Sequence, residues 1–121
     1  MLVTGASRGI GQATARSLRA AGCRVALTAR RAERLEALVV HFQASLSLPA
    51  DITDQDAVDG FVEDCLERWS RIDVLVNSAG VMPVVLQQGS GHIVNISSLA
   101  SRRPFPNGAV YSATKSPVRA I

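Results

Sequence analysis

The chain has 121 residues, with 13 Lys and Arg against 10 Asp and Glu and 47% apolar residues. That length holds one domain at most, and the apolar share is enough for a core, which excludes wholesale disorder. No run approaches the roughly 18–20 apolar residues of a membrane span, and no basic-then-apolar export signal opens the chain, so no membrane partner and a cytoplasmic location are expected.

Two hydrophobic periods alternate from the start. Leu2-Val3-Thr4 reads as a short strand, and Gly5-Ala6-Ser7-Arg8-Gly9-Ile10-Gly11 as a glycine-rich turn. Residues from about 10 to 21 carry Ile10, Ala13, Ala15, Leu18 and Ala21 at helical spacing, and Gly22 stands where helices stop. Arg24 to Thr28 is a second strand, Arg31 to Val40 a second helix, and Leu46-Ser47-Leu48 a weaker third strand. Asp51 to Trp69 predicts a helix capped by Thr53 or Asp54, with Val58, Phe61, Val62, Cys65, Leu66 and Trp69 on its buried stripe. Residues 73–77 and 92–97 form the fourth and fifth strands. Short, nearly continuous apolar strands separated by helices predict an α/β domain over residues 1–121, a Rossmann-like doubly wound parallel sheet of about five strands.

Charge is unevenly distributed. Residues 1–34 hold seven Arg and one Glu, residues 35–73 nine acids and two Arg, and residues 74–121 four bases. The early arginines interleave with no aromatic platform, which favours a small phosphorylated ligand over nucleic acid. Cys23 and Cys65 lack metal-ligand spacing and read as buried, reduced thiols. His41 and His92 are isolated, so no metal is expected.

Gly5, Gly9 and Gly11 follow a strand and open a helix, the context a dinucleotide-binding turn demands. Glycines allow the backbone to approach a pyrophosphate, and the helix N-terminus offers unpaired N–H groups. A turn that merely needs glycine is the simpler alternative, but the flanking strand and helix favour a ligand. At the end of the second strand, Thr28-Ala29-Arg30-Arg31 contains no acid to hold a ribose 2′-hydroxyl. Its two arginines, with Arg8, suit a 2′-phosphate instead, unless Arg30 and Arg31 are simply a solvated helix start. Tyr111 and Lys115 stand four apart on a helical segment, where an ammonium beside a phenol stabilises the phenolate. Ser98 lies at the C-terminal end of the fifth strand, where open α/β sheets meet ligands.

Together Thr4-Gly5-Ala6-Ser7-Arg8-Gly9-Ile10-Gly11, Asp51-Ile52-Thr53, Asn77-Ser78-Ala79-Gly80, Ile93 to Ser98 and Tyr111-Ser112-Ala113-Thr114-Lys115 resemble the short-chain dehydrogenase/reductase family along the whole chain. Gly108 to Tyr111 and Val118 to Ile121 are similar to its NADP-dependent hydroxy-acid and serine dehydrogenase-like members. The resemblance implies pyrophosphate binding at Gly5, Ser7, Gly9, Ile10 and Gly11, and 2′-phosphate contacts from Arg8 and Arg30. It implies adenine contact by Asp51 and Ile52, with Asn77, Ala79 and Gly80 lining the adenosine ribose. Ser98 would hydrogen-bond the substrate oxygen, Tyr111 transfer the proton, and Lys115 hold the nicotinamide ribose and depress the tyrosine pKa. Asp51 could instead cap the helix that follows it. Ser78 replaces a commoner asparagine, Asn95 and Ser97 read as structural, and Trp69 as core.

The implied activity is hydride transfer between NADP(H), rather than NAD(H), and a small secondary alcohol or carbonyl compound. Between Asn77 and Ser98 stand 20 residues, where the family has roughly thirty more, and Pro83-Val84 reads as the junction. The missing stretch matches a crossover helix that carries a further catalytic asparagine and part of the family's usual homo-oligomeric interface. Ile121 also falls inside the tyrosine helix. The chain is therefore expected to be an internally deleted and shortened member, with a damaged interface. A non-catalytic NADP-binding module and an inactive fragment stand as alternatives.

Overall fold

The computed structural model describes residues 1–42, 44–78 and 90–96. Strand and helix alternate in the order β1 (Leu2–Thr4), α1 (Gly9–Ala20), β2 (Val25–Ala29), α2 (Ala32–Val39), β3 (Ser45–Pro49), α3 (Gln55–Trp69), β4 (Val74–Asn77) and β5 (His92–Asn95). The five strands form one sheet in the order β3-β2-β1-β4-β5, and every pairing is parallel. The doubly wound α/β fold expected from the alternating periods is therefore present. The chain builds outward from β1 to β3 and then returns to the other side of β1, which creates a switch point between β1 and β4.

Pleating divides β1, β2 and β4 between two cores. On one face Leu2, Ala26, Leu48 and Leu75 pack with Val58, Phe61 and Cys65 of α3 and with Ile72. On the other, Val3, Val25, Leu27, Ala29 and Val76 pack with Ala15 of α1 and with Leu35 and Leu38 of α2. Leu2, Leu27, Leu35 and Leu75 are fully buried, each worth about 1.5–3 kcal/mol in apolar area removed from water. The central strands read as unbroken apolar runs because helices cover them on both faces.

Helix boundaries follow local chemistry. Gly22 adopts a left-handed φ of 81°. Its amide donates to the Arg19 carbonyl at 2.9 Å, and the Cys23 amide to the Leu18 carbonyl at 3.0 Å. That paired closure satisfies carbonyls the helix end would otherwise orphan. On α1 the inward stripe is Gly11, Ala15 and the half-buried Leu18, while Ala13 and Ala21 face out and Ile10 is 61% exposed. Those three residues match the helical period but lie off the face turned to the sheet. The third helix starts at Gln55, four residues later than its sequence pattern implies. Asp54 is its cap, accepting from the Asp56 amide at 3.1 Å and the Ala57 amide at 3.3 Å. Of the expected stripe, Val58, Phe61 and Cys65 are buried, and Val62, Leu66 and Trp69 pack partly buried against them. Cys65 is buried and Cys23 only half-buried, and both are free thiols.

Candidate functional site

Four polar residues lie in register across the C-terminal ends of adjacent strands. Thr28 of β2 pairs with Thr4 of β1, Thr4 with Asn77 of β4, and Asn77 with Asn95 of β5. The Thr4 hydroxyl donates to Asn77 Oδ1 at 3.0 Å, and Asn77 Nδ2 donates to Asn95 Oδ1 at 3.2 Å. The hydroxyl of Thr28 is buried without a hydrogen-bond partner among the described residues. This row holds three strand ends together at the edge where open sheets receive ligands. Asn95, expected to be structural, is one of its members.

Immediately beyond the row lies the glycine-rich turn. Gly5 and Gly9 take left-handed φ values of 66° and 58°, conformations a side chain disfavours. The Ala6 amide donates to the Thr28 carbonyl at 3.2 Å and ties the turn to β2. Gly11 is required for a different reason: a Cβ there would collide with the Gly5 carbonyl and lie 2.7 Å from Ser78 Oγ. The Ser78 amide donates to Thr4 Oγ1 at 3.1 Å, and its hydroxyl donates to the Thr4 carbonyl. The turn, the start of α1 and the end of β4 thus close on each other at the switch point.

The N-terminus of α1 faces this turn with no acidic residue in its first turn and no side-chain cap. The first amides of a helix lack intrahelical acceptors and carry partial positive charge, a natural anion seat. The residue at its cap position is Arg8, a cation where a helix start ordinarily disfavours one.

The second half of the site is the loop between β3 and α3. The Ala50 amide donates to the Ala29 carbonyl at 3.2 Å, which brings Asp51 next to the end of β2. Asp51 Oδ1 accepts from the Thr53 amide at 3.0 Å and the Thr53 hydroxyl at 2.8 Å. These two bonds, with a smaller contribution from the Arg30 charge, hold the Asp51 carboxyl below its ordinary value against a weak opposing desolvation. Asp51 therefore closes a turn before α3, while Asp54 caps the helix itself. Ile52, half-buried, packs on the core that Ala50 also joins.

The described residues bring together Gly5, Ser7, Arg8, Gly9, Ile10 and Gly11 at the start of α1, with Asn77 beside them. Arg30, Asp51 and Ile52 stand at the ends of β2 and β3. Ala79, Gly80, Ser98, Tyr111 and Lys115 lie outside the described residues, as does Ser97 beyond the observed end of β5. Sequence reading gave Thr4, Thr53 and Ser78 no part in organising the site. The spacing of Asp51 and Thr53 is the detectable signal of a side-chain turn, whereas the partners of Ser78 are separated from it by most of the domain.

The short chain dehydrogenase family model matches residues 1–87 and 81–121. The chain belongs to the short-chain dehydrogenase family. It is 35% identical over 156 residues to an uncharacterized oxidoreductase of Staphylococcus saprophyticus, covering 100% of this chain and 63% of that protein. A serine 3-dehydrogenase of Agrobacterium fabrum is 35% identical over 153 residues, covering 98% of the chain and 61% of the relative. The crystal structure of a metagenomic short-chain oxidoreductase in complex with NADP superposes with a TM-score of 0.80 at 35% identity, covering 98% of this chain and 71% of that one. The chain thus spans about three fifths of the length of most of the curated relatives it matches. An alignment of 156 positions to a chain of 121 residues leaves some 35 positions of the staphylococcal relative without a counterpart.

Proposed function

We propose that this chain binds NADP(H) and carries the residues of a hydride-transferring oxidoreductase that interconverts a secondary alcohol and a carbonyl compound. The carrying observation is Gly11, where the absence of a Cβ lets the glycine turn, the start of α1 and Ser78 close up. The uncapped helix start beside it suits a pyrophosphate. In this reading Gly5, Ser7, Gly9, Ile10 and Gly11 hold the pyrophosphate, and Arg8 and Arg30 attract the ribose phosphate. Asp51 and Ile52 border the adenine, while Asn77, Ala79 and Gly80 border its ribose.

When bound, the nicotinamide supplies or accepts the hydride. Ser98 donates a hydrogen bond to the substrate oxygen, Tyr111 exchanges its phenolic proton with that oxygen, and Lys115 favours the phenolate by its charge. The small-molecule substrate and a cytoplasmic location belong to the same reading, as does damage to the family's usual homo-oligomeric interface in this chain. The NADP named for the metagenomic oxidoreductase supports the cofactor choice.

A second reading, a nucleotide-binding module without turnover, is favoured by the alignment positions that have no counterpart here and by the two overlapping segments of the family match. Fluorescence titration decides the binding role: NADPH is expected to bind, and Arg8→Ala to weaken it roughly tenfold more than NADH, as for one lost charge-assisted hydrogen bond. Absence of binding to either nucleotide overturns the proposal. A substrate-dependent rate that disappears in Tyr111→Phe assigns the complete chemistry to this chain. Equal rates in the two proteins assign it the binding role alone.

A further inference from the structure

Charge is divided across the sheet: α3 packs on one face and α1 on the other. Within α3 stand the acids Asp56, Asp59, Glu63, Asp64 and Glu67 against the single base Arg68. Within α1 stand Arg16 and Arg19 with no acid. Asp56, Gly60, Glu63 and Glu67 follow one another at helical spacing, so they share one stripe, and all are exposed. That stripe lies opposite the buried Val58, Phe61 and Cys65. Its features weaken the helix that carries them. Asp59 with Glu63, and Glu63 with Glu67, are like charges at i,i+4. Glu67 stands in the last turn, where the helix dipole disfavours an anion. Gly60 is a glycine in a helix interior, yet a Cβ there would meet open space, so nothing inside the domain requires its small size. Among the described residues, none of these carboxylates is in an ion pair.

We propose that the acidic stripe of α3 docks on the α1 face of a second copy of this chain, helix against helix. Ala13, Arg16, Ser17 and Ala20 of α1 recur at i, i+3, i+4 and i+7 and are all exposed. They form a low strip with one cation in it, and Arg34 of α2 shares a cleft with Arg16. Since α2 also carries Glu33 and Glu36, α1 is the basic member of its face. Gly60 lets the two helices approach to the separation of about 8–10 Å usual for packed helices, with Asp56, Glu63 and Glu67 set against Arg16 and Arg34. The two surfaces lie on opposite faces of one sheet, so no chain can pair its own, and a second copy supplies the complementary charge. Such a contact is heterologous: each added copy again presents an unpaired α3, and assembly continues past two chains unless a ring closes. Neither helix belongs to the interface that the family resemblance places on the missing crossover helix, and the proposal does not rest on nucleotide binding.

The test is light scattering or sedimentation of the 121-residue chain over a range of concentrations. In about 0.01 M salt, where charges act over about 30 Å, the average mass is expected to rise with concentration and pass that of two chains. In about 1 M salt, where their range is about 3 Å, it is expected to return to that of one chain. Glu63→Lys and Arg16→Glu are each expected to weaken association roughly tenfold, as attraction turns to repulsion. Mixing these two variants is expected to restore it, because the reversed α3 of one meets the reversed α1 of the other and their unaltered helices still match. Gly60→Gln is expected to raise the urea midpoint, as a better helix former, while its bulk weakens association. A single-chain mass at every concentration in low salt overturns the proposal, as does a mass that levels off at two chains or persists in about 1 M salt. A mixture that fails to recover, from variants that keep the wild-type urea midpoint, also overturns it. If either variant does not fold, Gly60→Gln decides, and association as strong as that of the wild type refutes the docking.

Discussion

A methyl group at position 11 would have to occupy space already filled by the Gly5 carbonyl and the Ser78 hydroxyl. Gly11→Ala is expected to destabilise the chain by about 1–3 kcal/mol, the usual cost of forced overpacking, measured as a shift in the urea midpoint. Adding Ser78→Ala should not restore it, because the harder clash is with backbone that cannot rotate away. Recovery in the double variant would show that the serine hydroxyl alone sets the limit. The importance of Gly11 was legible in the spacing of Gly5, Gly9 and Gly11. The part played by Ser78 was not: it depends on Thr4, 74 residues away, and only the return of the chain to β4 brings them together. Thr53 shows the opposite case, since its partner Asp51 is two residues away and both residue types favour such turns.

Among the elements, α3 shows how competing local signals are resolved. Thr53 and Asp54 are both good caps by residue type, and composition does not choose between them. In the structure Asp54 holds the cap position and accepts from the Asp56 and Ala57 amides, while the Thr53 hydroxyl donates to Asp51 one residue further out. Asp54→Ala is therefore expected to cost about 1 kcal/mol of stability, read by thermal or urea unfolding. Thr53→Ala should instead raise the Asp51 pKa toward its ordinary value, a shift observable by NMR titration, with little effect on the helix. An equal loss of stability in both variants would argue against this division of roles. The apolar strands β1, β2 and β4 were readable because each contributes to a core on both faces of the sheet. The orientation of α1 was harder, since Ile10, Ala13 and Ala21 share a helical period with Ala15 and Leu18 without sharing their face.

For the molecule as a whole, Cys65 reports on the cohesion of the core. Burial against the sheet pushes its thiol from an ordinary value of 9.0 up to about 11. As pH rises above the unfolded value, the unfolded chain releases this proton before the folded chain does, so its contribution to stability is lost between about pH 9 and 11. The stability difference between the wild type and Cys65→Ala should therefore narrow between about pH 8 and about pH 10.5 in urea titrations. A constant difference would place the thiol in contact with water. The strand order carries a further consequence, for the way the sheet is assembled. β1 is made before either neighbour, yet it must bond to β2 on one side and to β4 on the other, and β4 starts only at Val74. Until β4 is synthesised, the inner edge of β1 is open to any extended chain nearby, so a nascent three-strand intermediate is the species most exposed to mispairing.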